Sequence, residues 1–134
     1  LASLGGETGS RRERLARAMQ RIKGYELSLS QRFLMGATQV AGLRVYGITD
    51  VERLAERTPT FAVSLEGMSA EAVATRLGKE GIFVWHGHYY AVAVMERLGL
   101  MEQGGLVRIG FVHYNTVDEV DRIVDALAKL RLSQ

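Results

Sequence analysis

The chain has 134 residues, a formal net charge of +2, 47% hydrophobic and 24% charged residues, and no cysteine. That is one domain's length at average soluble composition, which excludes a disordered or collagen-like chain and two ordinary domains in series. The absence of thiols excludes a disulfide, a thiolate nucleophile and a cysteine-held zinc or iron–sulfur centre, and fits a reducing cytoplasm.

Between Arg11 and Met35 the apolar residues Leu15, Ala18, Met19, Ile22, Tyr25, Leu29 and Phe33 recur every three or four positions, the period of one helix face. Leu43 to Tyr46 alternates as a short strand ended by Gly47. Thr49 followed by Glu52 has the spacing of a capping box and predicts a short helix over 50–56. Pro59 blocks helical continuation, and the β-rich run Thr60 to Leu65 predicts a second strand. Ser69 is placed to cap a helix that buries Ala70, Val73, Ala74 and Leu77 and ends at Gly81. Ile82 to Trp85 predicts the third strand, and Val92, Met95 and Leu98 carry helical spacing over a short helix near 91–98.

Gly104-Gly105 turns the chain into Leu106 to Phe111, a fourth strand with Val107, Ile109 and Phe111 on one face and Arg108 on the other. Thr116 and Glu119 form a second capping box, opening a last helix with the apolar stripe Val120, Ile123, Val124, Leu127 and Leu130. The link from 43–46 to 60–65 is too short for a helical crossover between parallel strands, so the sheet is expected to be mostly antiparallel. The expected architecture is α+β: a two-layer sandwich of a small sheet of about four strands with helices packed on one face. The chain reads as a single domain over 1–134, a long helix at 11–35 followed by a core at 43–134.

Charge is uneven: residues 1–57 carry ten Lys/Arg against six Asp/Glu, and 58–134 carry seven against nine. Much of the excess is Arg11, Arg12, Arg14, Arg17 and Arg21, interrupted by Glu13 and lacking an aromatic or glycine-rich partner surface, which describes a solvated helix face better than a phosphate stripe. Nucleic acid is therefore not an expected partner. No apolar run reaches the roughly 18 residues of a membrane span, so a membrane is not expected either. Leu1-Ala2-Ser3-Leu4-Gly5-Gly6 has no signal-peptide pattern and reads as a loop entered from upstream, so a piece of a longer protein is expected.

His86, His88 and His113 invite a zinc reading, but Gly87 leaves the first two without a defined common face and nothing brings His113 to them, so no metal site is expected. No serine sits in a G-x-S-x-G elbow, and neither G-x-G-x-x-G nor G-x-x-x-x-G-K-[ST] occurs. Arg108 stands apart, because a guanidinium on a rigid strand can grip a carboxylate through two parallel hydrogen bonds. On periodicity alone it could equally be a solvated or surface-paired residue.

The segments Gly81-Ile82-Phe83-Val84-Trp85-His86-Gly87-His88-Tyr89-Tyr90-Ala91 and Val107-Arg108-Ile109-Gly110-Phe111-Val112-His113-Tyr114-Asn115-Thr116 resemble the C-terminal domain of class V aminotransferases, nearest the cysteine-desulfurase-like branch. The resemblance is weaker over the long helix, includes Arg57-Thr58-Pro59-Thr60-Phe61, and is strongest over 81–127. It implies the small domain of a fold type I pyridoxal 5'-phosphate enzyme, cytoplasmic and homodimeric when full-length, acting on an amino acid. In the family's R-[IV]-[SG]-x-x-x-Y-N-T motif the arginine binds the substrate α-carboxylate, a role that falls on Arg108. His88 matches the first histidine of the desulfurase motif Arg-x-Gly-His-His-Cys-Ala, and His88 and Tyr90 are implied to line the substrate pocket with Arg108.

Two departures limit what is carried over. Tyr90 stands where that motif has its nucleophilic cysteine, and Trp85 replaces its arginine, so elimination or transamination is as compatible as desulfuration. Lys23, Lys79 and Lys129 lack the family's Ser-x-His-Lys context, so the cofactor is expected on a large domain upstream of Leu1 and the chain alone is expected to be inactive. The competing reading is a non-catalytic α+β binding or regulatory module. An upstream cofactor lysine separates the two.

Overall fold

The computed structural model describes residues 1–132, so the expected domain limit at 134 lies outside the described residues. A 3-10 turn at Ala2–Gly5 precedes the long helix α1, Arg11–Ala37. Helix α1 starts at Ser10, whose amide donates to the Glu13 carboxylate at 2.7 Å while its hydroxyl accepts the Glu13 amide. Glu13 is thus half of a capping box as well as a break in the arginine run. The arginines behind it are put to structural use: Arg14 donates to the Gly6 carbonyl at 3.0 Å, Arg17 to Gly5 at 2.8 Å and Arg21 to Leu4 at 2.5 Å. They strap the first residues along α1, and Gly5 lies so close that a Cβ would stand 1.8 Å from the Arg14 carbonyl oxygen.

Strands β1 (Leu43–Tyr46), β2 (Thr60–Leu65), β3 (Trp85–Gly87) and β4 (Leu106–Gly110) form one sheet in the order β1-β2-β4-β3, every neighbouring pair antiparallel. The helices between and after them are α2 (Ala70–Lys79), α3 (Val92–Arg97) and α4 (Val117–Leu132). Ser69 caps α2 by accepting the Ala72 amide at 3.2 Å. At α4 the Thr116 amide donates to Glu119 at 2.8 Å and the Glu119 amide to the Thr116 hydroxyl at 3.2 Å, the expected box.

Alternation decides the faces. Phe61, Val63 and Leu65 of β2 and Val107 and Ile109 of β4 are buried in a core with α1, α2 and α4. Its centre is aromatic: the Phe33 ring lies 4.5 Å from Phe61 and 5.5 Å from Phe111, with Phe61 and Phe111 6.1 Å apart. Two polar ties fix α1 over α4 and the loop that enters it: Arg32 grips Asp121 with contacts of 2.7 and 2.8 Å, and the Tyr25 hydroxyl donates to the carbonyl of Asn115 in that loop at 2.7 Å. This is the expected α+β sandwich, with α1, α2 and α4 on one face of the sheet and one addition on the other. The short α3 and the turn after it bring Met95 and Leu100 onto Leu106, beside Tyr46, Ala62 and Tyr89, in a small second cluster.

Two expected elements move. The third strand spans Trp85–Gly87, not 82–85, because the Ile82 amide is used to close α2, donating to Leu77 at 2.9 Å. Pairing with β4 begins only at Trp85, opposite Arg108. The segment Val51–Glu56 is a 3-10 helix, and its cap is Asp50, which accepts the Glu52 amide at 3.0 Å, in place of the expected Thr49–Glu52 box. An aspartate accepting from the amide two residues on forms the tighter local turn and pre-empts the box.

Candidate carboxylate site

The strand register sets four side chains abreast. Tyr46 pairs with Ala62, Ala62 with Arg108, and Arg108 with Trp85, so one residue from each strand lies in a single row across the sheet face turned away from the main core. Arg108 is the charge in that row. Ala62 to one side and Gly110 two residues along β4 carry little or no side chain, so the guanidinium stands over an open depression lined by Thr60, Phe83, Val84, Trp85, Arg108 and Gly110. Trp85 is 63% exposed and Phe83 89% exposed, giving the depression an aromatic side. Among the described residues no carboxylate lies within ion-pair distance of Arg108.

The ring that lies against the Arg108 guanidinium is that of Tyr89, a residue the sequence does not single out. Strand β3 ends at Gly87, and the chain turns back through Tyr89 at φ 52° and Tyr90 at φ 61°. The turn presses close on the start of β4: a Cβ on Gly105 would lie 2.2 Å from the Gly87 carbonyl oxygen, so glycine alone fits there. This brings the Tyr89 ring to 5.2 Å from the Arg108 guanidinium carbon, a cation–π distance. The Tyr89 hydroxyl donates to the Leu106 carbonyl and lies 3.3 Å from that of Trp85. Burial pushes the Tyr89 phenol up to about 12, against the opposing pull of the Arg108 charge, so it stays a neutral donor at any ordinary pH.

His88 and Tyr90 stand together at the tip of the turn. The Tyr90 amide donates to His88 Nδ1 at 3.1 Å, and the two rings meet edge-on at 6.1 Å. The Tyr90 side chain is 97% exposed. No hydrogen bond or ring contact joins either of them to Arg108 among the described residues, so the structure links the turn to Arg108 through Tyr89. His86, His88 and His113 do not converge: no metal-binding group of three or more His, Asp or Glu occurs among the described residues, and His113 sits 3.9 Å from Glu26 on α1.

Pyridoxal phosphate finds no lysine at this site. Lys23, Lys79 and Lys129 are exposed on α1, α2 and α4, the helices that cover the opposite face of the sheet from Arg108. The described residues therefore do not fit the cofactor's own seat. They present a cation for an acid group and an aromatic wall beside it.

The family profile for Aminotransferase class-V matches residues 15–123, most of the chain. The chain belongs to the class-V aminotransferase family. As a member, it is 33% identical over 108 residues to an aminotransferase-like protein of Gibberella zeae, covering 79% of this chain and 26% of that one. It is 34% identical over 109 residues to a cysteine desulfurase of Pectobacterium atrosepticum, covering 81% of this chain and 25% of that enzyme. The structure of an apo cysteine desulfurase from Thermococcus onnurineus NA1 superposes with a TM-score of 0.79 at 26% identity, over 92% of this chain and 29% of that one. This class-V chain therefore spans about a quarter of the length of the curated relatives it matches. Among its described residues no helix is long and apolar enough to cross a membrane.

Proposed function

We propose that this chain is the substrate-orienting small domain of a pyridoxal-phosphate-dependent enzyme that acts on an amino acid, with Arg108 taking the substrate's α-carboxylate. One observation carries the reading: the guanidinium stands on the open face of a central strand, beside the Tyr89 ring, with no carboxylate of the described residues within ion-pair distance. A planar fork held this way matches a carboxylate through two charge-assisted hydrogen bonds. The chain's own share is binding and orientation. The cofactor, which supplies the electron sink for amino-acid chemistry in such enzymes, belongs in this reading to a larger domain of the same protein, and a homodimer in the cytoplasm is the setting the family resemblance implies.

The turn limits the reaction class. Tyr90 stands where the desulfurase motif has its cysteine, and the chain holds no cysteine. A phenol cannot accept sulfur as a persulfide, so sulfur cannot be passed to this turn. Elimination or transamination is therefore as compatible with this turn as desulfuration, with His88 and the Tyr90 ring at the rim of the substrate pocket.

Replacing Arg108 by Ala in the full-length protein is expected to lower kcat/KM for its amino acid by about 2–4 kcal/mol, the usual loss when a charged partner is left without its hydrogen-bonded counterpart. Arg108→Lys should restore only part of it, since an ammonium keeps the charge and loses the fork. Steady-state kinetics decide the matter, and an unchanged kcat/KM in Arg108→Ala removes Arg108 from the site.

A further inference from the structure

We propose that Tyr89 is a positioning residue for Arg108: its ring is the platform on which the guanidinium is held ready for a carboxylate. The inference rests on the carboxylate reading of Arg108 and adds a residue to it. An arginine side chain on an open sheet face has many rotamers, and a ligand that needs one of them must restrict the rest. Arg108 has small neighbours on two sides, Ala62 across β2 and Gly110 along its own strand, neither of which can restrict it. Of the two rings near it, Trp85 opposite on β3 and Tyr89 in the turn, it is the Tyr89 ring that lies against the guanidinium, 5.2 Å from its carbon.

The ring is itself fixed from three directions. Its hydroxyl donates to the Leu106 carbonyl, two residues before Arg108 on the same strand, so platform and guanidinium are referred to one stretch of backbone. Its body packs against the cluster of Met95, Leu100 and Leu106. Its backbone is held at φ 52° in a turn whose next amide is taken up by His88 Nδ1. Two successive non-glycine residues in the left-handed region are uncommon, and such geometry persists where surrounding contacts over-determine it. Here those contacts all serve to lay one aromatic face beside Arg108. His88 and Tyr90 support the platform through the turn, and Tyr89 makes the contact.

The test uses the full-length protein labelled with 15N and follows the Nε–Hε signal of Arg108, assigned by its loss in Arg108→Lys. The signal is expected to be displaced by the Tyr89 ring current in the unaltered chain. It should keep that displacement in Tyr89→Phe and return to the position of the solvated arginines in Tyr89→Leu. Tyr89→Met, which fills the space beside Met95 and Leu100 without a ring face, repeats the measurement should the leucine variant fail to fold. L-alanine is the carboxylate probe: its dissociation constant read at Arg108 should rise by about 3- to 30-fold in the ringless variants, the range spanned by cation–π contacts at exposed to desolvated sites, and be rescued by Tyr89→Phe. An Arg108 signal that does not move on removing the ring, or an L-alanine affinity equal in all variants, overturns the positioning role alone. L-alanine that leaves Arg108 of the unaltered chain unperturbed overturns the carboxylate reading instead, and the role of Tyr89 with it.

Discussion

Tyr90 sits at φ 61° with its side chain 97% exposed. A side chain in the left-handed region loses roughly 1–2 kcal/mol to the clash of its Cβ with the following carbonyl. Tyr89, at φ 52°, offsets that loss by packing against Met95, Leu100 and Leu106 and by its hydrogen bond to Leu106. Tyr90 has no such packing; its amide, not its ring, makes the bond to His88. Tyr90→Gly is therefore expected to keep the turn and raise the unfolding free energy by about 0.5–1 kcal/mol, the relief less glycine's extra backbone entropy in the unfolded chain. Urea unfolding measures it, and a loss of stability would assign the Tyr90 ring a structural role that its exposure denies. The same turn shows what a sequence conceals at residue scale. Arg108 is legible, because Val107, Ile109 and Phe111 alternate around it and leave it no face but the open one. Tyr89 is not, because a left-handed pair without Gly or Asn has no compositional mark, and the contact between Tyr89 and Arg108 depends on how β3 and β4 are registered.

At the scale of elements, two of the α-helix starts are governed by carboxylates. Glu13 and Glu119 each accept the amide of the preceding cap residue, and those hydrogen bonds hold both carboxyl groups below their ordinary value of 4.5. Asp121 is held below its ordinary 3.8 by its hydrogen bonds to Arg32. A carboxylate whose folded value is lowered contributes stability that is present above its unfolded value and is lost as pH falls through the folded one. The melting temperature is expected to hold from neutral pH down to about 5 as far as these groups are concerned, then to fall. Glu119→Gln, which keeps an acceptor for the Thr116 amide but cannot titrate, should flatten that acid limb, and a limb of unchanged steepness would show that the α4 cap does not contribute to it. Thr116→Ala tests the neutral half of the box and should cost about 1 kcal/mol at pH 7. Thr49 and Glu52 have the same spacing as Thr116 and Glu119 yet form no box. Spacing alone cannot tell them apart, because Asp50 competes for the amide in one case and Val117 offers no competing acceptor in the other. The displaced third strand has a similar origin: Ile82 to Trp85 has strand composition throughout, but the closing turn of α2 takes the first amide of the run.

For the molecule as a whole, the sheet face that carries Arg108 is held by the face that does not. Ile109 and Val107 flank Arg108 on β4 and are buried against the helices, so the aim of the guanidinium depends on how well that core locks the strand. Its centre joins parts distant in sequence: Phe33 from α1, Phe61 from β2 and Phe111 just after β4, all within 6.1 Å of one another by ring centroid. Phe33 is fully buried, and truncating a buried phenylalanine to alanine costs about 3–5 kcal/mol in lost transfer energy and residual cavity. Domains of this size commonly have only about 5–15 kcal/mol in total. Phe33→Ala is therefore expected to bring the chain to the edge of unfolding at 25 °C, while Phe33→Leu, which keeps most of the apolar volume, should lose far less. Urea titrations read both, through the midpoint at constant slope if α1 and the sheet unfold as one unit. A reduced slope, or two transitions, would mean instead that α1 comes away first and leaves a partly folded sheet. In that case the Nε–Hε displacement of Arg108 should survive the first transition, because the Tyr89 platform is built from β3, β4 and α3 and not from α1.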